Sequence, residues 1–286
     1  MITLPLPAQV GIVGGGRMGA GIAHAFLLGG CAVTVVDMPD RADATRQTIA
    51  GHLARSVERG HSQSTDDMLS RLQLGTEIVE IMASGLVIEA VPEDVELKAE
   101  VLGRVSAILA PEAVLATNTS SISIDRLASY VASADRFLGM HFFNPVPASR
   151  LVELVVGATT AGRVTDTAVE WVRALDKTPI TVRDVPGFAT SRLGVVLGLE
   201  AIRMLENGVA TAGDIDLAMS LGYKHPIGPL ELTDIVGLDV RLAIAEYLCV
   251  ELGPRFEPPV LLRNMVAEGR LGRKSGEGFY IWPLQP

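Results

Sequence analysis

Gly14, Gly16 and Gly19 stand at G-x-G-x-x-G spacing, between a short β-branched apolar run and a helix-length stretch of Ala, Ile, Phe and Leu. Glycines at a strand-to-helix junction permit a tight turn and let backbone N–H groups approach a pyrophosphate, whose charge the helix N-terminus stabilises. Met18 lies inside this loop, at the start of the helical stretch. Asp37 closes the next apolar run, 18 residues after Gly19, where a carboxylate can accept both ribose hydroxyls of a dinucleotide and repels a 2′-phosphate. A glycine-rich turn with a capping Asp explains a lone motif equally well; strand, helix and Asp together favour NAD. Arg17 beside the phosphates would suit NADP, but Asp37 argues for NAD.

A second group could move a proton. His141 lies in Met140-His141-Phe142-Phe143-Asn144-Pro145, at the C-terminal end of an expected strand, the edge that faces ligand in a wound sheet. Glu153 interrupts the apolar run 151–156, and such a carboxylate is costly unless paired. If the turn at 145–147 folds one strand beside the other, Glu153 accepts the imidazole N–H and fixes the tautomer, giving a proton shuttle. On spacing alone, a core histidine satisfied by backbone and a glutamate at a strand edge is the better-supported alternative.

Thr117-Asn118-Thr119-Ser120-Ser121 follows another strand end, so its hydroxyls face ligand or cap a helix from Ile122 onward. Glu89 and Glu93 bracket a strand end, with Lys98 one helical turn further on; a solvated helix start accounts for Glu93 and Lys98 equally well. His52, Arg55 and Arg59 recur at i, i+3 and i+7, one helical face that either meets an anion or supports solubility.

These residues need elements to hold them. Runs 9–13, 32–36, 86–91, 114–117, 137–142, 151–156 and 180–182 are strand-like, with helical windows such as 18–28 and 94–109 between them. This alternation predicts an α/β, doubly wound sheet. Beyond Pro186-Gly187 the pattern turns to long helical stretches, 191–206, 213–219, 238–252 and 259–268, so a second, all-helical domain is expected, dividing the chain into residues 1–184 and 185–286. The 286 residues are 48% hydrophobic, and no apolar stretch reaches the roughly 18 residues of a membrane span. A net charge of −9 argues against a nucleic-acid surface. Cys31 and Cys249 belong to no metal-spaced cluster, so no metal is expected and both read as buried thiols. With no Lys or Arg before Arg17, the sequence predicts a cytoplasmic chain.

In order, GGGRMGAGIA, Asp37, EAVPED with LK, TNTSSISI, GMHFFNPVPASRLVELV, VPGF, YKHPIGPLELTDIVGLDV and RKSGEGFY resemble the NAD-dependent 3-hydroxyacyl-CoA dehydrogenase family, in its short bacterial 3-hydroxybutyryl-CoA form, over nearly the whole chain. HFFNPVP and HPIGPLELTDIVGLD are far more specific than the glycine loop. The resemblance implies a Rossmann-like domain that binds NAD, a helical domain for substrate and dimerisation, a homodimer, and a role in fatty-acid metabolism. It implies that His141 is the general base of oxidation and general acid of reduction, with Glu153 as partner, which reverses the spacing-based preference. By the same resemblance Ser120 and Asn144 hold substrate and site geometry, Glu93, Lys98 and Asn118 surround the cofactor, and His52 and Arg59 meet the nucleotide of a CoA thioester. One departure stands out. Where the family carries Asn-Arg after PGF, this chain has Ser191-Arg192. Ser191 has a shorter reach to the substrate's reacting oxygen, so either water fills the gap or the pocket admits a bulkier group near C3. Two rivals share the plan: a dehydrogenase of a free hydroxy acid or carnitine-like compound, and a non-catalytic NAD-binding protein of the crystallin kind. The intact HFFNP favours the thioester.

Overall fold

The computed structural model describes residues 5–61 and 63–283, in two compact units, Met1–Val185 and Pro186–Pro286. The first unit is built on an eight-stranded sheet of β1 (Gln9–Val13), β2 (Ala32–Val36), β3 (Leu72–Gly75), β4 (Leu86–Glu89), β5 (Val114–Thr117), β6 (Phe137–Phe142), β7 (Leu151–Val156) and β8 (Thr178–Arg183). Their order across the sheet is β3-β2-β1-β4-β5-β6-β7-β8. Strands β1 to β6 run parallel; β7 pairs antiparallel with β6, and β8 follows β7. Central strands β4, β5 and β6 are buried at every position, as a sheet covered on both faces requires.

Around the sheet lie α1 (Arg17–Leu28), α2 (Ala42–Glu58), α3 (Thr65–Leu69), α4 (Val95–Ser106), α5 (Ile124–Ala128) and α6 (Gly162–Ala174). Helix α1 is buried from Gly19 to Leu27, so its apolar composition is that of a core element, with Ile22, Phe26 and Leu27 fully enclosed. Helices α2 and α6 are amphipathic. Only Thr45, Ile49 and Leu53 of α2, and Val164, Ala168, Trp171 and Val172 of α6, are buried.

The second unit is built from helices, α7 (Thr190–Glu206), α8 (Ala212–Leu217), α9 (Pro229–Val236), α10 (Leu238–Leu252) and α11 (Val260–Ala267), followed by turns with isolated β-bridges from Glu277 to Gly272 and Ile281. Val195, Leu199, Ile202, Leu230, Leu238, Ala245, Leu248 and Leu262 form its own core. Asp216 and Asp234 are buried there, and both are fully engaged. Asp216 accepts the N–H groups of Leu230 and Glu231 at the start of α9 and the Tyr280 hydroxyl at 2.7 Å. Asp234 accepts from the backbone of Phe279 and Tyr280 and from Trp282 Nε1 at 2.8 Å, tying the last described residues to α9.

Several sequence expectations need correction. The four-residue β3, Leu72-Gln73-Leu74-Gly75, alternates too briefly to stand out as a strand, and the eight-residue α9, opened by Pro229, is too short to show a helical period. The strand expected over 86–91 stops at Glu89, because Val91 N–H turns back to the Glu89 carboxylate at 2.7 Å. Both cysteines are free, but only Cys31 is buried; Cys249 is half-buried and its thiol contacts Glu257 Oε2 at 3.1 Å. Among the described residues no helix is long and apolar enough to cross a membrane, and no group of three or more His, Cys, Asp or Glu side chains is placed to hold a metal.

Candidate active site

The glycine loop leaves β1 and enters α1 with Gly16 at the helix N-cap. Gly14 has φ +99°, and a Cβ there would stand 2.7 Å from the Ala90 carbonyl oxygen. A Cβ on Gly19 would overlap the Gly14 carbonyl oxygen, whereas one on Gly16 would meet nothing within 4 Å. Gly14 and Gly19 therefore serve the turn and the packing of helix on strand. Gly16 keeps bare backbone facing open space. Thr45 of α2 steadies the loop from beneath by donating its hydroxyl to the Gly15 carbonyl at 3.1 Å.

Asp37, one residue past β2, accepts the Gly15 N–H on Oδ2 and the Met38 N–H on Oδ1, both at 2.7 Å. Two backbone donors orient the carboxylate and leave each oxygen a further lone pair. Between this carboxylate and the loop opens a cleft of about 720 Å³, whose lining includes Gly14, Gly16, Met18, Asp37, Ile78, Val91 and Leu97. Its apolar walls, its bare loop and its oriented acid suit an adenosine and a pyrophosphate, so the residues present fit NAD. A smaller depression of about 490 Å³ shares Gly16, Arg17 and Arg41 with it and extends to Thr45, Thr48 and His52.

Along the same sheet edge the ends of β4, β5 and β6 are knitted together by buried polar groups. Glu89, wholly buried, accepts Lys98 Nζ at 2.8 and 3.0 Å, the Thr117 hydroxyl at 2.6 Å and the Val91 N–H. Lys98 also reaches Glu93 Oε2 at 3.4 Å and the Val91 carbonyl at 3.3 Å, with 1% of its own surface exposed. Glu93 accepts the Thr119 hydroxyl at 2.6 Å and the N–H groups of Ser120 and Ser121 at 2.9 and 3.2 Å. Burial works against its charge, but the Lys98 ammonium and those hydrogen bonds hold its carboxyl below the usual carboxylate range. Lys98 thus departs from the solvated helix start that spacing allows, whereas Glu93 keeps 40% of its side chain exposed. The capping alternative for the Thr-Ser run is divided: Thr119 Oγ1 accepts the Ile122 N–H at 2.9 Å, while Ser123 caps α5.

Asn118 follows β5, and its Oδ1 accepts the Phe142 N–H at 2.8 Å, fixing the end of β6 next to His141. The β6–β7 pairing puts His141 directly opposite Glu153, with Nδ1 and Oε2 3.0 Å apart. His141 is 5% exposed and Glu153 0%, so the bond lies out of water. The Phe143 ring packs against the imidazole at 4.4 Å between centroids. Asn144 is exposed in the turn that leaves β6, before a cis peptide to Pro145. Ser120 lies partly exposed beside Glu93, and Ser191, in the helical unit, is the second residue of α7.

His52 departs from the expected face. It is half-buried, its ring edge-on to His24 at 5.7 Å, while Arg55 and Arg59 are exposed. Burial and then the Arg55 charge lower its pKa below the ordinary histidine value, which leaves it neutral at pH 7. Sequence reasoning noted Glu89 but gave it no part. An acid ending an apolar strand nine residues before a lysine was the available sign. Thr45 had none.

A model of the 3-hydroxyacyl-CoA dehydrogenase NAD binding domain matches residues 9–185, and the C-terminal domain of the same family matches residues 187–282. A probable 3-hydroxybutyryl-CoA dehydrogenase from Deinococcus radiodurans is 40% identical over 275 residues, spanning 95% of this chain and 99% of its own. A 3-hydroxybutyryl-CoA dehydrogenase from Mycobacterium tuberculosis is 41% identical over 280 residues, or 96% and 98%. The crystal structure of (S)-3-hydroxybutyryl-CoA dehydrogenase from Ralstonia eutropha is similar with a TM-score of 0.93 at 40% identity, covering 97% of this chain and 99% of that one. The cradle beneath Gly16 thus belongs to an NAD-binding domain, and with both family domains matched in succession this chain belongs to the 3-hydroxyacyl-CoA dehydrogenases.

Proposed function

We propose that the chain interconverts (S)-3-hydroxyacyl-CoA and 3-oxoacyl-CoA with NAD(H), and that His141 exchanges the proton at the reacting oxygen. The observation that carries this reading is the buried His141–Glu153 hydrogen bond at the sheet edge where the nucleotide cradle opens. An ionised Glu153 only accepts, so Nδ1 holds the ring hydrogen and Nε2 is the basic nitrogen. In oxidation Nε2 takes the substrate hydroxyl proton, and the adjacent carboxylate offsets the positive charge that develops on the ring; in reduction the same proton returns. NAD, when bound, accepts or supplies the hydride. Asp37 would hold its ribose hydroxyls and the loop from Gly14 to Gly19 its pyrophosphate. Met18 and Asn118 would line the cofactor, Glu93 would meet its nicotinamide end, and Lys98, buried, would act through Glu93.

Ser120, Asn144 and Ser191 are assigned to the substrate, and His52 and Arg59 to the CoA nucleotide; of these last two, only Arg59 brings positive charge. A homodimer in the cytoplasm completes the proposal. The helical unit leaves Leu193, Leu221, Tyr223 and Val250 exposed, as a subunit interface would, and the unpaired thiols suit a reducing compartment. Sedimentation at the 30.3 kDa of a single chain would remove the dimer.

Steady-state reduction of acetoacetyl-CoA by NADH tests the activity. Turnover is expected. Retained NADH binding without turnover of any CoA thioester would sink the reading and return the free hydroxy acid, carnitine-like and non-catalytic alternatives.

A further inference from the structure

One buried charge takes no part in that chemistry. Arg241 sits in the first turn of α10 with 5% of its surface exposed. Its Nε has no hydrogen-bond partner among the described residues, and burial alone lowers its pKa to about 10, with no carboxylate opposing the shift. A guanidinium taken out of water without a counter-charge is unfavourable, and the positive end of a helix makes it more so. The acids closest in sequence are engaged elsewhere: Asp239 with Lys274 at 2.6 Å, Glu246 with Arg263, and Asp234 with the chain at 279–282.

Helix α7 makes the room for this side chain. Ser191, Gly194 and Gly198 recur at i, i+3 and i+7 and share one face. A Cβ on Gly194 would stand 3.2 Å from Arg241 Nη1, and one on Gly198 would stand 3.5 Å from Nε and 3.7 Å from Cζ. Thr233 Oγ1 borders the same space, 3.2 Å from that Gly198 position. The face becomes more enclosed along its length: Ser191 and Gly194 are partly exposed, and Gly198 is buried.

We propose that Arg241 receives a carboxylate at the far end of the acyl chain, so that the preferred substrates are 3-hydroxyacyl-CoA thioesters of dicarboxylic acids. The inference rests on the proposed function, in which Ser191 meets the substrate near its reacting carbon. Gly194 lies about one helical turn, roughly 5 Å, further along the same face, a span of a few methylenes. A methyl-ended chain reaching that point would leave the guanidinium uncompensated. A carboxylate would meet its planar fork with two charge-assisted hydrogen bonds.

The test compares NADH-dependent reduction of two 3-oxoacyl-CoA thioesters of equal length, one ending in a methyl group and one in a carboxylate, by the wild type, Arg241→Gln and Arg241→Lys. The wild type is expected to favour the carboxylated thioester in kcat/KM. Arg241→Gln should lower kcat/KM for it about ten- to hundredfold more than for the methyl-ended one, with Arg241→Lys between the two. A wild type that shows no preference, or prefers the methyl-ended chain, overturns the proposal whether or not the variants fold. An Arg241→Gln enzyme that loses activity equally on both also overturns it. Failure of the wild type to reduce either thioester would overturn the functional reading itself, and this proposal with it.

Discussion

At the scale of single residues, the site divides into groups that would act and groups that hold them. His141→Ala removes the proposed proton carrier, and turnover is expected to fall by about 10² to 10⁴-fold while the NADH dissociation constant changes little. Glu153→Gln keeps the shape but offers an amide that can present its own hydrogens to Nδ1, so turnover should fall and the pH–rate profile should shift. Near-normal turnover in His141→Ala, measured by steady-state kinetics, would end the proton-transfer assignment. For the cofactor, Asp37→Ala should weaken NADH binding by about ten- to hundredfold and narrow the preference for NADH over NADPH. A wild type that binds NADPH more tightly would contradict the role given to Asp37. His141 and Glu153 were visible in the sequence as residue types out of place in apolar runs, yet spacing alone argued against pairing them. Their meeting depends on β6 and β7 being neighbours in register, a fact of the hairpin and not of either residue. Arg241 was passed over for a related reason: its isolation depends on what surrounds it in three dimensions.

At the scale of elements, the sequence was most legible where periodicity and punctuation agree. The strands at 9–13, 32–36, 114–117, 137–142 and 151–156 have the observed bounds, because each is a short apolar run in a sheet covered on both faces. Legibility failed at elements formed by tertiary demand. Strand β3 exists because β2 offers it an open edge, and the network of Glu89, Lys98 and Glu93 draws together residues that look like a solvated helix start. The glycine loop was legible in both respects, and it allows a prediction at this scale. Gly14→Ala imposes a Cβ at φ +99° against the Ala90 carbonyl. It should cost about 1 to 3 kcal/mol in stability and weaken NADH binding, since the loop must shift away from its phosphate-facing shape. Calorimetric titration with NADH and denaturant unfolding would check both. An alanine variant with unchanged affinity would mean that the turn does not shape the cradle.

At the scale of the whole molecule, acid sensitivity follows from a histidine outside the site. His24 of α1 is 2% exposed, with Nε2 held by Ser56 Oγ at 2.8 Å. Burial, followed by the charges of His52, Lys177, Arg55 and His61, pulls its pKa from 6.5 to about 3. The folded chain leaves it neutral where the unfolded chain protonates it. Its contribution to stability is therefore complete above about pH 6.5 and is lost progressively as pH falls towards 3. Near pH 4.5 the loss should approach about 3 kcal/mol, and His24→Gln, which does not titrate, should lose correspondingly less between pH 7 and that point. Urea unfolding of both proteins at the two pH values decides this, and equal losses would clear His24 of the effect. The paired strands β6 and β7 have a further consequence, which lies in time. His141 and Glu153 are 12 residues apart in the chain, whereas the bonds that shape the cradle join partners separated by 22 for Gly15 and Asp37, 27 for Glu93 and Ser120, and 28 for Glu89 and Thr117. Short loops close at lower entropic cost, so during refolding His141 and Glu153 can meet within one hairpin while the nucleotide cradle still awaits the docking of distant strands.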